Sequence, residues 1–187
     1  MHSTHHSNRI IQNSSAQSAA LILLIGLPGS GKSTIAAKLL QQSRGQVIST
    51  DAIRAQLFGN ESVQGPWLKV WREVGRQFWH VVPCIAAGKL DWALYDATNA
   101  VRRQRRQAIV LARTSGFTHV TGLWLNTPLA LCLERNQQRS RHVPIEVIQK
   151  MHRCLIGAPP ALDEGFDQLV EIKREEILGQ DVKTTGS

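Results

Sequence analysis

The stretch Gly26-Leu27-Pro28-Gly29-Ser30-Gly31-Lys32-Ser33 constrains the fold of this chain more than any other. It follows the unbroken apolar run Leu21–Ile25 and opens a segment with Ile35, Ala36, Leu39 and Leu40 at helical spacing. An apolar run of that length suits a strand buried on both faces of a parallel sheet. Each fixed position of the pattern G-x-x-x-x-G-K-[ST] has a mechanical reason. Glycines let the backbone curl so that successive N–H groups point inward and form an anion nest. The helix behind them adds its positive N-terminal end. A lysine here reaches the β- and γ-phosphates of a nucleoside triphosphate, and the next hydroxyl holds Mg2+. The expected site for ATP with magnesium is therefore Gly26, Leu27, Pro28, Gly29, Ser30, Gly31, Lys32, Ser33 and Thr34.

Beyond the loop, short apolar runs alternate with helical patterns. Strands are expected at 21–25, 46–49, 92–95, 119–125 and 168–172, and helices at 32–42, 52–57, 66–87, 101–115, 128–139 and 144–155. Pro66 suits a first helical turn, Pro83 a kink, and Gly88 and Gly116 helix ends; Thr127 is the expected N-cap before Pro128. Strand–helix alternation over short connections predicts an α/β fold of three layers, with a parallel sheet of about five strands covered on both faces. Residues 1–18 are polar and aperiodic and read as a disordered leader; 19–173 form one domain, and 174–187 a flexible acidic tail.

Motifs outside the loop narrow the class of nucleotide protein. The NKxD base-specificity motif of GTPases is absent. The run Trp92-Ala93-Leu94-Tyr95 ends in Asp96, which can support the metal; Ala97 follows, where a work-performing ATPase usually carries a water-positioning Glu. That favours transfer to a hydroxyl acceptor. Asp51 follows the second strand at the carboxyl edge of the sheet, where open α/β folds bind ligands. It is a candidate base on the acceptor hydroxyl, and equally a candidate helix N-cap. Arg54 shares its helix face and could hold an anionic acceptor. Arg135 and Arg139, four residues apart, read either as groups that neutralise charge on the transferring phosphoryl or as a solvated basic face. Arg102, Arg103, Arg105 and Arg106 open a helix against its macrodipole, so they need anionic neighbours, a nucleic-acid backbone, or plain solvent. Trp67, Trp71 and Trp79 lie near one helix face, and core packing is the favoured reading over a platform for bases.

Charge is unevenly spread. Residues 1–162 hold 19 Lys and Arg against 7 Asp and Glu, and residues 163–187 hold 3 against 7, so a basic body that suits a polyanion meets an acidic end. Cys84, Cys132 and Cys154 are odd in number and far apart, which excludes a disulfide framework and points to buried free thiols. The longest apolar stretch near the N-terminus, 19–25, is too short to cross a bilayer, and cytoplasmic residence is expected.

Taken in order, the motifs resemble those of the 5′-hydroxyl polynucleotide kinases. The matching pieces are Gly26–Thr34, Asp51 with Arg54, and Asp96-Ala97-Thr98-Asn99. They continue with Arg135-Asn136-Gln137-Gln138-Arg139, His142-Val143-Pro144, Met151 and the segment Ala158–Phe166, across residues 20–173. The resemblance implies ATP and Mg2+ at Lys32 and Ser33, Asp51 as general base, and Asp96 in support of the metal. It further implies Arg54, Thr98 and Asn99 on the acceptor side, and Arg135 with Arg139 clamping the ATP phosphates from a helical lid. The implied partner is the 5′ end of DNA or RNA, with no membrane. No phosphatase segment with paired aspartates accompanies these motifs, and Ala97 departs from the polar residue expected beside Asp96. A P-loop kinase for a small molecule (zeta-toxin-like, or acting on an antibiotic or metabolite) shares the loop, the aspartate and a lid arginine, and a non-enzymatic ATP switch is the third alternative.

Overall fold

The computed structural model describes residues 18–139 and 141–173; the expected tail, and the expected leader apart from Ser18, lie outside them. The elements are β1 (Ala20–Ile25), α1 (Lys32–Gln42), β2 (Gly45–Ser49), α2 (Thr50–Phe58), α3 (Trp67–Ala86), β3 (Trp92–Asp96), α4 (Arg102–Thr114), β4 (His119–Asn126), α5 (Leu129–Gln137), α6 (Ile145–Gly157), a 3-10 turn (Leu162–Glu164) and β5 (Gln168–Lys173). All strand pairs are parallel, in the order β2-β3-β1-β4-β5. The central strand β1 is flanked by β3 and β4, so its carboxyl end opens into the crevice where such sheets bind ligands.

Side-chain alternation on β1 divides the core. Leu21, Leu23 and Ile25 pack with Val70, Val74, Phe78, Ala108 and Ile148 on one face. Ile22 and Leu24 pack with Ala36, Leu39 and Trp92 on the other. That double coverage explains the unbroken apolar run. Each such buried aliphatic side chain stabilises the fold by about 1.5–3 kcal/mol. No described helix is long and apolar enough to cross a membrane.

Several expectations need correction. The buried stripe of α3 is Val70, Val74, Gly75, Phe78, Val81 and Ile85. Trp67 and Trp79 lie off that stripe, 44% and 61% exposed, so neither packs in the core. Trp71 is half-buried against the core, as expected, and stacks on Trp67, with ring centroids 5.8 Å apart. Thr127 does not cap α5; its buried hydroxyl donates to the Ser30 carbonyl at 3.0 Å, tying the loop after β4 to the loop after β1. Cys132 is buried as expected, while Cys84 and Cys154 are only partly so.

The arginine row on α4 has anionic neighbours. Arg105 and Glu164, both fully buried, pair at 2.6 Å. The same guanidinium donates to the carbonyls of Asn99, Ala100 and Ala158. Arg102 pairs with Asp163 at 2.6 Å, and Arg113, in the last turn, with Asp167 at 2.6 Å. Part of the acidic end therefore folds back onto α4 and offsets its charge. Arg103 and Arg106 remain exposed, with no ion pair among the described residues.

Candidate active site

Between β1 and α1 the chain turns sharply, and its glycines are required there. Gly29 sits at φ 81°, and a Cβ at that position would lie 2.5 Å from the Cys132 carbonyl oxygen. Backbone backs the loop directly, so only glycine fits. Gly31, at φ 100°, leads into α1. The Ser30 hydroxyl is buried without a partner among the described residues. Lys32 folds over the loop and donates to the carbonyls of Gly26 at 3.0 Å and Leu27 at 2.8 Å. Burial pushes its ammonium down to about 8, against the opposing pull of Asp96. Ser33 and Thr34 are exposed at the start of α1.

The loop after β3 is anchored to the same place. The Gly26 N–H donates to the Thr98 carbonyl at 3.0 Å. Asn99, buried and at φ 48°, donates through its side-chain amide to the Leu24 carbonyl at 2.7 Å. The side-chain nitrogen thereby ties this loop to β1; Thr98 is half-buried beside it. Asp96, half-exposed at the end of β3, has its carboxyl raised by burial, lowered by Lys32 and raised again by Asp51. A hydroxyl and a carboxylate oxygen, from Ser33 and Asp96, are hard donors of the kind Mg2+ takes.

Asp51 lies in the first turn of α2. Ser49 is the N-cap, accepting from the Ala52 N–H, so the capping alternative for Asp51 falls away. Both carboxylate oxygens are held instead: Oδ1 accepts from Arg54 at 2.8 Å and Oδ2 from Arg141 at 3.0 Å. Arg141 also reaches Glu61 at 3.3 Å. Sequence reasoning gave neither Arg141 nor Glu61 a role, because the segment after α5 brings Arg141 to Asp51 and Glu61 only in space. Arg54 keeps a buried Nε without a partner among the described residues, and its guanidinium carbon lies 6.0 Å from the Trp67 ring centre.

In that segment, Arg135 leans on the phosphate loop, its Nη1 3.5 Å from the Gly29 carbonyl. Asn136 clasps Val143 from both sides, donating to its carbonyl at 2.9 Å and accepting from its N–H at 3.0 Å. This clasp turns the chain out of the helix at Gln137, short of the expected end, so Arg139 does not continue the face of Arg135. Arg139 is exposed, and its charge acts on both Lys32 and Asp96. The structure thus gathers Lys32, Asp51, Asp96, Arg54, Arg135 and Arg139 at one edge of the sheet.

Residues 21–156 match AAA_33, described as an AAA domain. The chain belongs to that family. It is a P-loop kinase domain, with the α/β three-layer fold expected for one. Over 142 residues it is 30% identical to the L-seryl-tRNA(Sec) kinase of Methanococcus maripaludis, covering 71% of this chain and 51% of that protein. The chain thus spans about half the length of the curated relative it matches. Its fold is similar to one in the Pnkp1/Rnl/Hen1 RNA repair complex, with a TM-score of 0.61, 20% identity, and coverage of 83% of this chain and 49% of that one. A fungal RNA kinase gives 0.58 at 16% identity, over 86% and 76% of the two chains. A gluconokinase from Sinorhizobium meliloti 1021 gives 0.55 at 16% identity, over 85% and 84%.

Proposed function

We propose that this P-loop kinase domain transfers the γ-phosphoryl group of ATP to the 5′-hydroxyl end of a polynucleotide. The observation that carries the reading is Asp51, a carboxylate beside the phosphate loop with one oxygen on Arg54 and the other on Arg141. Such double anchoring orients a base toward its substrate. In the reaction, an Asp51 oxygen takes the proton of the acceptor hydroxyl. The hydroxyl oxygen bonds to the γ-phosphorus, and the bond from that phosphorus to the oxygen of ADP breaks. The main-chain amides around Gly29 and Gly31 and the Lys32 ammonium receive the phosphates once Lys32 leaves its loop carbonyls. Arg135 and Arg139 offset charge on the transferring group. Ser33 and Asp96 would hold Mg2+, which neutralises phosphate charge when bound.

Arg54 fits an acceptor phosphate, since its buried Nε–H has no partner among the described residues. The basic body and the likeness to RNA-repair and RNA-kinase folds support a nucleic-acid acceptor. One observation favours a small acceptor instead: this chain and the gluconokinase match over most of both lengths. A panel of 5′-hydroxyl DNA and RNA oligonucleotides, sugars and seryl-tRNA, incubated with γ-labelled ATP and Mg2+, separates the readings. Label is expected on the oligonucleotides, and Asp51→Asn is expected to keep ATP binding while losing transfer by about 10²–10⁴-fold. Label on a sugar or seryl group alone refutes the polynucleotide acceptor, and an active Asp51→Asn enzyme refutes Asp51 as base.

A further inference from the structure

A groove of about 820 Å³ runs between the start of α3 and the outer face of α4, away from the phosphate loop. Its floor and walls include Trp67, Leu68, Trp71, Arg103, Arg106 and Val110. No carboxylate among the described residues lines it. Trp67, Leu68 and Val110 are 44%, 67% and 61% exposed, an unusual outlay of large apolar surface beside arginines. Arg103 and Arg106 have no ion pair among the described residues, whereas Arg102 and Arg105 in the same row are paired. The two indoles stack on each other at an interplanar angle of 26°, and both line the groove.

The groove lies near Asp51, on the side of Trp67. Arg54 joins the two: it holds Asp51 at 2.8 Å and lies 6.0 Å from the ring centre of Trp67. A chain whose end reaches Asp51 therefore has its next units directed toward the indole pair. Aromatic faces next to unpaired cations are the chemistry that binds single-stranded nucleic acid: bases stack and phosphates meet the arginines. A purely apolar partner would leave two unpaired guanidinium groups facing it.

We infer that this groove holds the single-stranded nucleotides on the 3′ side of the acceptor's 5′-hydroxyl, with bases against Trp67 and Trp71 and phosphates on Arg103 and Arg106. The inference rests on the polynucleotide-acceptor reading. It makes acceptor length a determinant of affinity, and it places that determinant outside the reacting atoms.

The test measures binding and turnover separately. Fluorescence anisotropy of a labelled, 5′-phosphorylated single strand of about ten nucleotides reports groove binding without turnover. Trp67→Ala is expected to raise its Kd about 10-fold, in the range of one lost base stack. Arg103→Ala with Arg106→Ala is expected to lower the slope of log Kd against log salt by about 1.4, or 0.7 per single-strand phosphate contact. Trp79→Ala, exposed on the same helix but outside the groove, is expected to change neither. In turnover, Trp67→Ala should raise KM for the long acceptor while leaving kcat, and KM for a dinucleotide, within about 2-fold. Trp67→Ala and the arginine pair leaving anisotropy and salt slope unchanged would overturn the groove. Wild-type binding that depends on Trp67, with no transfer to any oligonucleotide, keeps the groove and overturns the acceptor assignment.

Discussion

Replacing Glu164 by glutamine keeps shape and removes one charge from a pair in which both side chains are fully buried. Arg105 then retains the carbonyls of Asn99, Ala100 and Ala158 but loses its only charged partner among the described residues. Removing one member of a buried pair costs about 3–5 kcal/mol, because the other charge stays out of water uncompensated. In a domain of this size each kcal/mol moves the midpoint by about 2–4 °C, so Glu164→Gln should lower Tm by about 6–20 °C. Thermal unfolding followed by far-UV circular dichroism reads this directly. The double variant Arg105→Leu with Glu164→Leu removes both charges but strands three carbonyls, each worth about 1–3 kcal/mol if left unpaired. It should therefore recover only part of the loss. The consequence reaches the site, since Arg105 anchors the backbone of Asn99 and Ala100, just past Asp96. A fall in Tm below about 3 °C for Glu164→Gln would refute the buried-pair argument.

Two further outcomes follow from the loop. Lys32, held at about 8 by burial, gains anionic neighbours when a triphosphate binds, which raises its pKa. Binding at pH 8 should take up about half a proton, and affinity should weaken as pH rises above 8. Titration calorimetry in buffers of different ionisation enthalpy measures the uptake; its absence, or its survival in Lys32→Met, contradicts the assignment. Gly29→Ala and Gly59→Ala both put alanine at positive φ, but only position 29 meets backbone, the Cys132 carbonyl at 2.5 Å, while position 59 meets nothing within 4 Å. Each should lose about 1–2 kcal/mol to the left-handed backbone, with the larger fall in Tm and weakened nucleotide binding confined to Gly29→Ala; equal losses would show that the contact is irrelevant.

Much of the site was legible because it is local in sequence. The strand, loop and helix around Gly26–Ser33 follow from an apolar run, required glycines and a helix start, and the observed β1 and α1 lie where that pattern puts them. The alternation of runs likewise predicts the parallel five-stranded sheet, since each buried strand needs helices on both faces. Asp51 and Arg54 sit three apart on one helix, so their pairing too is visible in spacing.

What spacing could not reach were contacts between segments far apart in the chain. Arg141 meets Asp51 across 90 residues, and Arg105 meets Glu164 across 59. Thr127 reads as a helix cap by local pattern, yet its hydroxyl is drawn to a loop carbonyl, and the Asn99 side chain, placed on the acceptor side by the family resemblance, reaches a carbonyl of β1. Trp67 and Trp71 share a helical face, but which stripe of that helix turns inward is decided by the packing of Val70, Val74 and Phe78 on the sheet. Sequence alone therefore determined the phosphate loop and the layers around it, because hydrophobic periodicity and backbone sterics act over a few residues. The partner of each charge, and the tryptophans left facing outward, were decided only by tertiary structure, where burial forces each polar group to find a partner wherever the fold brings one close.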